Sequence, residues 1–341
     1  MKALDAEGRR TQPLRIAFFG TPEIALPTLE GLIAGPHEIV GIVSQPDRPR
    51  GRGRKLSPSP VSAVAIREGL PLLRPEAVGD PETVEALAAL APDLGVVVAF
   101  GQFIPKRIRE LPNRGYLINA HASLLPKYRG AAPIARAILD GVEETGISVM
   151  RIEKEMDAGP VALVARTAIG PTENTDELSQ RLAQMAATVI AEAVDRIAHD
   201  EIEWSEQDAR SATFAAKIEK ADAILDLRQP ARALAQRIHA LSPKPGGEVT
   251  LVSDASEQTV IKISSAEVAP FEERSAPHAG SLDRSNSDAP LRIATGQGWL
   301  LPRVLKRPGG KAVAVADFLR GFEIPDGARL LLADEEEPEK A

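Results

Sequence analysis

The sequence predicts a doubly wound α/β domain with a mostly parallel sheet, followed by a small β-barrel domain. Short apolar runs that end in glycine or in a turn alternate with helical segments through the first half of the chain, as in Rossmann-like folds. The run at 94–100 is rich in valine, which is typical of a strand buried on both faces of a parallel sheet. The last third changes to short β segments separated by turns, the pattern of a small barrel.

Each element follows from a local pattern. An apolar alternation predicts strands at 15–20, 38–44, 94–100, 115–119 and 146–152, with a helix at 81–90. A capping-box-like start at Asn174 and Glu177 precedes apolar residues at helical spacing, which predicts a helix to about residue 198. A helix at 230–241 then leads into β segments at 248–252, 259–269, 291–295 and 298–305.

These elements divide the chain into five parts. The expected parts are a flexible tail (1–13), a large α/β domain (14–200), a linker that docks against it (201–226), a small barrel domain (227–333) and a solvated acidic tail (334–341). A chain of 341 residues is too long for one typical domain, so a division into two domains is expected.

Composition excludes several classes of protein. The hydrophobic content of 43% and the charged content of 26% are those of an ordinary globular chain, and no apolar run is long enough to cross a bilayer. The absence of cysteine excludes disulfides, cysteine-ligated zinc and a thiol nucleophile. A net charge of −7 argues against nonspecific nucleic-acid binding by the whole surface, but it allows a local basic site. We expect a cytoplasmic monomer.

The segment 119–133, Asn-Ala-His-Ala-Ser-Leu-Leu-Pro followed by Arg-Gly-Ala-Ala-Pro, is the most informative motif. Asn119 and His121 lie at the end of a predicted strand, and residues two apart point to the same side, roughly 6.6 Å from each other. An amide and a protonated imidazole can both donate to a developing oxyanion, and the ring can also transfer protons. Taken singly, an Asn near a strand end is more often a turn former, and a His is more often structural than catalytic.

A second candidate lies in the loop Glu155-Met156-Asp157-Ala158-Gly159-Pro160. Asp157 in such a loop is usually a turn former, although loop tips at the end of a sheet also carry catalytic residues. The first turn of the domain, Gly-Thr-Pro-Glu at 20–23, lacks the Gly-x-Gly-x-x-Gly pattern, which argues against a dinucleotide cofactor.

The segment 119–133 closely resembles the signature of the folate-dependent formyltransferases, and the Met-Asp-x-Gly segment resembles their second signature. The resemblance implies that Asn119, His121 and Asp157 are catalytic, with Asp157 orienting His121 and stabilising its protonated form. It implies formyl transfer from 10-formyltetrahydrofolate to a primary amine, without a metal.

The resemblance also implies a folate site along the crevice. Plain core packing is an alternative role for the two leucines of this set, and the two roles are compatible. The residues expected to line the folate path and the pterin pocket are Ser123, Leu124, Leu125, Pro126, Phe100, Gly101, Gln102 and Ile104.

A basic segment at 45–60 indicates the acceptor. It carries four arginines, one lysine and one aspartate, interleaved with proline and glycine, so we expect a mobile loop. A solvated charged loop is the ordinary alternative. The segment resembles the insertion of family members that formylate methionyl-tRNA, which implies charged initiator tRNA as the partner. The residues expected to bind tRNA are Arg48, Arg50, Arg52, Arg54 and Lys55.

Two other functions fit parts of the pattern. A hydrolase or a sugar-amine formyltransferase that uses 10-formyltetrahydrofolate would share the Asn, His and Asp, but as a rule not the arginine-rich segment. A catalytically inactive RNA-binding relative would not need all three signature residues. The barrel region at 227–333 resembles in layout the family's C-terminal domain, which implies an OB-like barrel that contacts tRNA. Lys244 stands where members often have an aromatic residue.

Overall fold

The computed structural model describes residues 13–50, 55–253, 257–271 and 277–333. The chain forms two compact units. The first comprises Met1–Pro133, Glu144–Thr167 and Ser179–Ala215. The second comprises Ile134–Glu143, Ala168–Leu178 and Ala216–Ala341.

The strands and helices of the first two-thirds of the chain alternate as the apolar pattern predicts. The strands are β1 (Arg15–Gly20), β2 (Glu38–Val43), β3 (Arg48–Arg50), β4 (Lys55–Ser57), β5 (Leu72–Leu73), β6 (Leu94–Val98), β7 (Leu117–His121), β8 (Arg129–Gly130), β9 (Glu144–Arg151) and β10 (Val161–Ala168). The helices are α1 (Leu26–Ala34), α2 (Pro60–Arg67), α3 (Pro81–Ala89), α4 (Lys106–Arg109), α5 (Pro133–Leu139) and α6 (Thr175–Ala198).

Seven of these strands form one sheet in the order β10-β9-β7-β6-β1-β2-β5. The strands from β5 to β7 are parallel, whereas β9 runs antiparallel to β7. The mostly parallel Rossmann-like sheet predicted from the sequence is therefore confirmed. The central strands β1 and β6 are almost completely buried, because both of their faces are covered.

The second unit is built on an antiparallel sheet. Its strands and helices after α6 are α7 (Ala231–Ala240), β12 (Gly247–Val252), β13 (Gln258–Ala269), β14 (Leu282–Asp283), β15 (Arg292–Ala294), β16 (Trp299–Lys306), β17 (Val313–Ala314), α8 (Val315–Gly321) and β18 (Arg329–Leu330). The short strand β11 (Phe214–Ala215), which precedes them, belongs to the first unit. The strand order is β14-β15-β16-β13-β12-β18, with β17 paired to β16. The sheet curls around an apolar core shared with α7 and α8, as expected for an OB-like domain.

The start of α6 follows the predicted capping box. The Asn174 side chain accepts hydrogen bonds from the backbone N–H groups of Asp176 and Glu177, at 2.9 and 3.1 Å. The Glu177 carboxylate in turn accepts from the Asn174 N–H at 3.0 Å. These contacts satisfy N–H groups that have no partner within the helix.

The basic segment differs from its sequence-based expectation. Its two flanks pair as an antiparallel ribbon, with Arg48 opposite Ser57 and Arg50 opposite Lys55, where the sequence predicts a mobile loop without strands. The cause is local, because Arg-Pro-Arg and Lys-Leu-Ser can both adopt an extended backbone. Residues 51–54, which include Arg52 and Arg54, lie outside the described residues, as do the predicted tails 1–12 and 334–341.

The five-part division of the chain stays a prediction. The compact units interleave in sequence, and residues 201–215 of the expected linker belong to the first unit. Within the described ranges, no helix is both long and apolar enough to span a membrane.

Gly146 in β9 provides a test of this packing. A methyl group on Gly146 would lie 1.9 Å from the carbonyl oxygen of Ala165 in β10 and 2.7 Å from Leu124. Gly146→Ala is therefore expected to lower the free energy of unfolding by about 1–3 kcal/mol, measured by urea denaturation.

Gly31 in α1 supplies the matched control, since a methyl group there meets no atom within 4 Å. Gly31→Ala should raise stability by about 0.5–1 kcal/mol, because alanine favours a helix. Equal stability of the Gly146→Ala variant and the wild type would contradict the packing of β9 against β10.

Candidate active site

Asn119 and His121 lie on β7, near the middle of the large sheet. Asn119 is paired with Val97 of β6 on one side and with Met150 of β9 on the other. His121 is paired with Ser148. Since the two residues are separated by one position on a strand, their side chains point to the same face, as the sequence predicts.

The ring of His121 is buried and held by the backbone. The residue is 6% exposed, and its Nε2 lies 2.8 Å from the carbonyl oxygen of Tyr128. A carbonyl oxygen can only accept a hydrogen bond, so the neutral ring carries its proton on Nε2 and donates a hydrogen bond from there to the Tyr128 carbonyl. Nδ1 is consequently the nitrogen that can gain or lose a proton.

Asp157 faces that nitrogen. Its Oδ2 lies 3.7 Å from Nδ1 of His121, which is within ion-pair range of a protonated ring but longer than a hydrogen bond. The same Oδ2 accepts a hydrogen bond from the backbone N–H of Gly130 at 2.8 Å. The structure therefore brings together the two sequence motifs at residues 119–133 and 155–160.

Asp157 has a left-handed backbone conformation, with φ of +50°. It sits in the connection between β9 and β10, and its side chain is 17% exposed. The base of this connection is closed by a hydrogen bond of 3.0 Å from the Arg151 N–H to the Pro160 carbonyl. Left-handed non-glycine residues are sparsely populated and often occur at functional sites.

The side chain of Arg151 is stacked between two rings beside this connection. Its guanidinium carbon lies 4.2 Å from the ring centre of Tyr116 and 4.5 Å from that of Trp204. Partial burial raises the pKa of the Tyr116 hydroxyl. The stack fixes the end of β9, from which the loop with Asp157 starts.

Ser123 has a structural position in this turn. It is fully buried, and its hydroxyl donates to the Lys127 carbonyl at 2.6 Å. Its own carbonyl accepts from the Ser148 hydroxyl at 2.7 Å, and that hydroxyl also accepts from the Leu125 N–H at 3.1 Å. Leu125 and Pro126 are joined by a cis peptide bond. These contacts shape the segment that follows His121.

The residues expected in the pterin pocket occupy mixed environments. Phe100 and Ile104 are buried, and Phe100 packs edge-to-face on Phe19 with ring centres 5.7 Å apart. The Gln102 amide binds the loop at 75–78 through the Pro75 carbonyl and the Val78 N–H. Gly101 is exposed at the end of β6.

Polar groups also join the ends of β1, β2 and β6. The Thr21 hydroxyl donates to the Phe100 carbonyl at 3.0 Å and accepts from the Gln45 N–H at 3.3 Å. The Gln45 amide donates to the same carbonyl at 3.1 Å. This network places the start of the basic segment at the carboxyl edge of the sheet, where ligands of such sheets bind.

The basic ribbon starts from that edge. Arg48 is exposed and donates to the Gln45 side chain at 3.3 Å. Asp47 is paired with Arg74 at 2.6 Å, so its negative charge is compensated within the structure. Across the described ranges, no group of three or more His, Asp or Glu residues could hold a metal ion.

Two functional contacts were not predicted from the sequence: the Tyr128 carbonyl and the Gly130 N–H. Both belong to the backbone, so no residue type at these positions reports them. Gly130 is a partial exception, because its φ of +125° requires glycine and lets the N–H face Asp157.

Both parts of the chain match known families. Residues 14–194 match the formyl transferase family, and residues 217–323 match the formyl transferase C-terminal domain family. The chain belongs to the formyl transferase family.

Similar proteins cover nearly the whole chain. A protein of Methylococcus capsulatus named methionyl-tRNA formyltransferase is 43% identical over 93% of this chain and 99% of its own length. A protein of Chromohalobacter salexigens with the same name is 41% identical over 93% of this chain and 97% of its own length.

Solved structures share the fold at low identity. HypX from Aquifex aeolicus, solved with tetrahydrofolic acid, aligns with a TM-score of 0.61 and 16% identity over 90% of this chain and 47% of its own. An N-formyltransferase from Helicobacter canadensis, solved with folinic acid and dTDP-3-aminofucose, aligns with a TM-score of 0.61 and 15% identity over 85% of this chain and 99% of its own.

The buried hydroxyl of Ser123 gives a prediction for this site. Ser123→Ala leaves the Lys127 carbonyl without its donor, so the free energy of unfolding should fall by about 1–2 kcal/mol in urea denaturation. Ser205→Ala, at an exposed position of the same unit, should change it by less than about 0.5 kcal/mol. Equal effects of the two substitutions would show that the Ser123 contact adds no stability.

Proposed function

We propose that this enzyme transfers the formyl group of 10-formyltetrahydrofolate to the amino group of methionyl-tRNA, which gives formylmethionyl-tRNA for translation initiation. The observation that carries the proposal is the placement of Asn119 and His121 two positions apart on β7, with the Asp157 carboxylate 3.7 Å from the His121 ring. The similar proteins named above, alike over almost their whole length, support the acceptor.

The reaction requires one bond to form and one to break. The amine attacks the formyl carbon to give a tetrahedral oxyanion, and cleavage of the bond between that carbon and N10 of the folate follows. The Asn119 amide and a protonated His121 would donate to the oxyanion. The proton released by the amine ends on N10, so the acceptor gains a formyl group and the folate gains a proton.

The contacts of His121 define how it would act. With Nε2 bound to the Tyr128 carbonyl, Nδ1 is left to exchange protons. Asp157 lies 3.7 Å from Nδ1, so its carboxylate would stabilise the protonated ring by charge. Asp157 would also help a water molecule to remove the proton from the attacking amine.

The folate would lie along the carboxyl edge of the sheet. Leu124, Leu125 and Pro126 are all partly exposed beside His121, so they offer an apolar wall to a flat ring system. Gly101 offers exposed backbone at the end of β6. The buried side chains of Ser123, Phe100 and Ile104 would support this wall from behind.

The basic ribbon would bind the tRNA backbone. It extends from the carboxyl edge of the sheet, and arginine side chains match phosphate oxygens in geometry and charge. The overall charge is −7, so this local concentration of cations stands apart from the rest of the chain. We further propose that the protein acts as a monomer in the cytoplasm.

The three signature residues give the first test of this chemistry. Asn119→Ala and His121→Ala should each lower kcat by about a hundredfold or more, because each removes an oxyanion donor. Asp157→Asn should also lose activity, since an amide cannot stabilise imidazolium by charge. The measurement is formyl transfer to methionyl-tRNA, with circular dichroism to verify folding. Near-normal turnover in a variant would remove that residue from the mechanism.

The basic ribbon gives the second test. Replacing Arg48, Arg50, Arg52 and Arg54 with alanine should raise the KM for tRNA and leave folate binding nearly unchanged. Because phosphate contacts release counterions, the wild-type affinity for tRNA should fall steeply with salt and that of the variant less steeply. Formyl transfer at two salt concentrations measures both effects.

A matched control replaces arginines remote from this edge. Arg166 and Arg196 are exposed and paired with Glu144 and Glu192. Their alanine variants should keep the wild-type salt dependence. Unchanged tRNA kinetics in the quadruple variant would show that the ribbon is only a solvated feature, and the acceptor would have to be recognised elsewhere.

A further inference from the structure

The side chain of Gln207 makes four hydrogen bonds in the first unit. Its Oε1 accepts from Nε and Nη2 of Arg129, at 3.1 and 2.8 Å. Its Nε2 donates to the carbonyl oxygens of Asp157 and Gly159, at 2.9 and 2.7 Å. These contacts use both lone pairs of the oxygen and both protons of the nitrogen.

Together with the hydrogen bond from the Gly130 N–H, these contacts close a ring that includes the carboxylate of Asp157. The Arg129 side chain binds Gln207, which binds the backbone of Asp157. The Asp157 carboxylate accepts from the N–H of Gly130, the residue that follows Arg129. The ring thus connects the backbone of Asp157 to the segment Arg129–Gly130, which the Asp157 side chain also contacts.

This loop needs an external support. The left-handed backbone of Asp157 is disfavoured by about 1 kcal/mol or more for a residue with a side chain. Gln207 fixes the carbonyls of Asp157 and Gly159, so it sets the orientation of the Asp157–Ala158 and Gly159–Pro160 peptide groups. The direction of the Asp157 side chain depends on these peptide groups.

We propose that Gln207 is a positioning residue for formyl transfer, which holds the carboxylate of Asp157 opposite Nδ1 of His121. Gln207 lies 50 residues beyond Asp157 in the sequence, in the segment expected to be a linker. The expected effect of Gln207 on kcat rests on the proposed function. Its expected effect on the hydrogen bond between Gly130 and Asp157 does not.

The segment that carries Gln207 is anchored independently of its side chain. Ser205 and Val161 exchange two backbone hydrogen bonds of 2.8 and 2.9 Å. On the other side, the Thr213 carbonyl accepts from the Arg129 N–H at 2.9 Å. A substitution of Gln207 should therefore leave the path of this segment unchanged.

Gln207→Glu separates the two halves of the contact. A carboxylate of the same length keeps the acceptor for Arg129 and adds an ion pair to that buried guanidinium. It loses both donors and places negative charge against the two carbonyl oxygens. A group that only stabilised the fold through Arg129 would tolerate this change, whereas a group that positions Asp157 would not.

The expected result is a loss of kcat with little loss of binding. Formyl transfer by Gln207→Glu should show a kcat lower by about ten- to hundredfold, because small misplacements of catalytic groups have effects of this size. The KM values for folate and tRNA should change by less than about twofold, and the melting temperature should stay within a few degrees of the wild type. Gln184→Glu, at an exposed position on α6, is the matched control and should have wild-type kinetics.

Combination with Asp157→Asn shows whether Gln207 acts through Asp157. If it does, Gln207→Glu should lower kcat much less in the Asp157→Asn background than in the wild type, since coupled residues are not additive. Additive losses of kcat would contradict the proposal, as would a Gln207→Glu variant with wild-type kcat.

Amide hydrogen exchange provides a measurement that does not depend on activity. The Gly130 N–H, which donates to Asp157, should exchange at least about tenfold faster in Gln207→Glu than in the wild type or in Gln184→Glu. Unchanged protection of Gly130 would overturn the positioning role. A wild-type enzyme that fails to formylate methionyl-tRNA would instead overturn the proposed function, and the exchange result would still decide the role of Gln207.

Discussion

The hydrogen bond from the Gly130 N–H to the Asp157 carboxylate is the contact on which the site depends. It joins two residues that are 27 positions apart in the sequence, with 2.8 Å between the Gly130 nitrogen and Oδ2 of Asp157. It binds the carboxylate oxygen that lies 3.7 Å from Nδ1 of His121, whose ring is held by the Tyr128 carbonyl. His121 and Asp157 are thus ordered from the backbone, with each side chain held by a main-chain group.

The fold makes this contact possible in a specific way. The strand β7 lies between a parallel neighbour and an antiparallel one, so it presents Asn119 and His121 at an edge to which the β9–β10 connection returns. Gly130 can lie close to β11 because it has no side chain. A methyl group at this position would lie 2.7 Å from the Ala215 carbonyl oxygen. Residues 205–215 therefore help to form the site, through the contacts of Gln207 and the position of Ala215 beside Gly130.

Much of this arrangement could be predicted from the sequence, and the rest could not, for physical reasons. The strands and helices were predictable because apolar periodicity reports burial directly, as in β1 and α6. The signature residues were predictable because their types are chemically distinctive. The direction of β9, the pairing of residues 48–50 with 55–57 and the contacts of Gln207 depend on pairing between separate segments, which local patterns do not encode. The assignments of Phe100, Gln102 and Ile104 to a folate pocket stay predictions, since the structure places these side chains in the core or against the backbone.

The central claim is that the site transfers a formyl group to the amine of methionyl-tRNA. The most direct measurement follows a labelled formyl group from 10-formyltetrahydrofolate in separate incubations with charged initiator tRNA, an amino sugar nucleotide, a purine precursor amine and water alone. The account predicts rapid transfer of label to the methionyl-tRNA and negligible label in the other acceptors. Label that appears mainly in free formate or in the amino sugar, with methionyl-tRNA left unmodified, would contradict it.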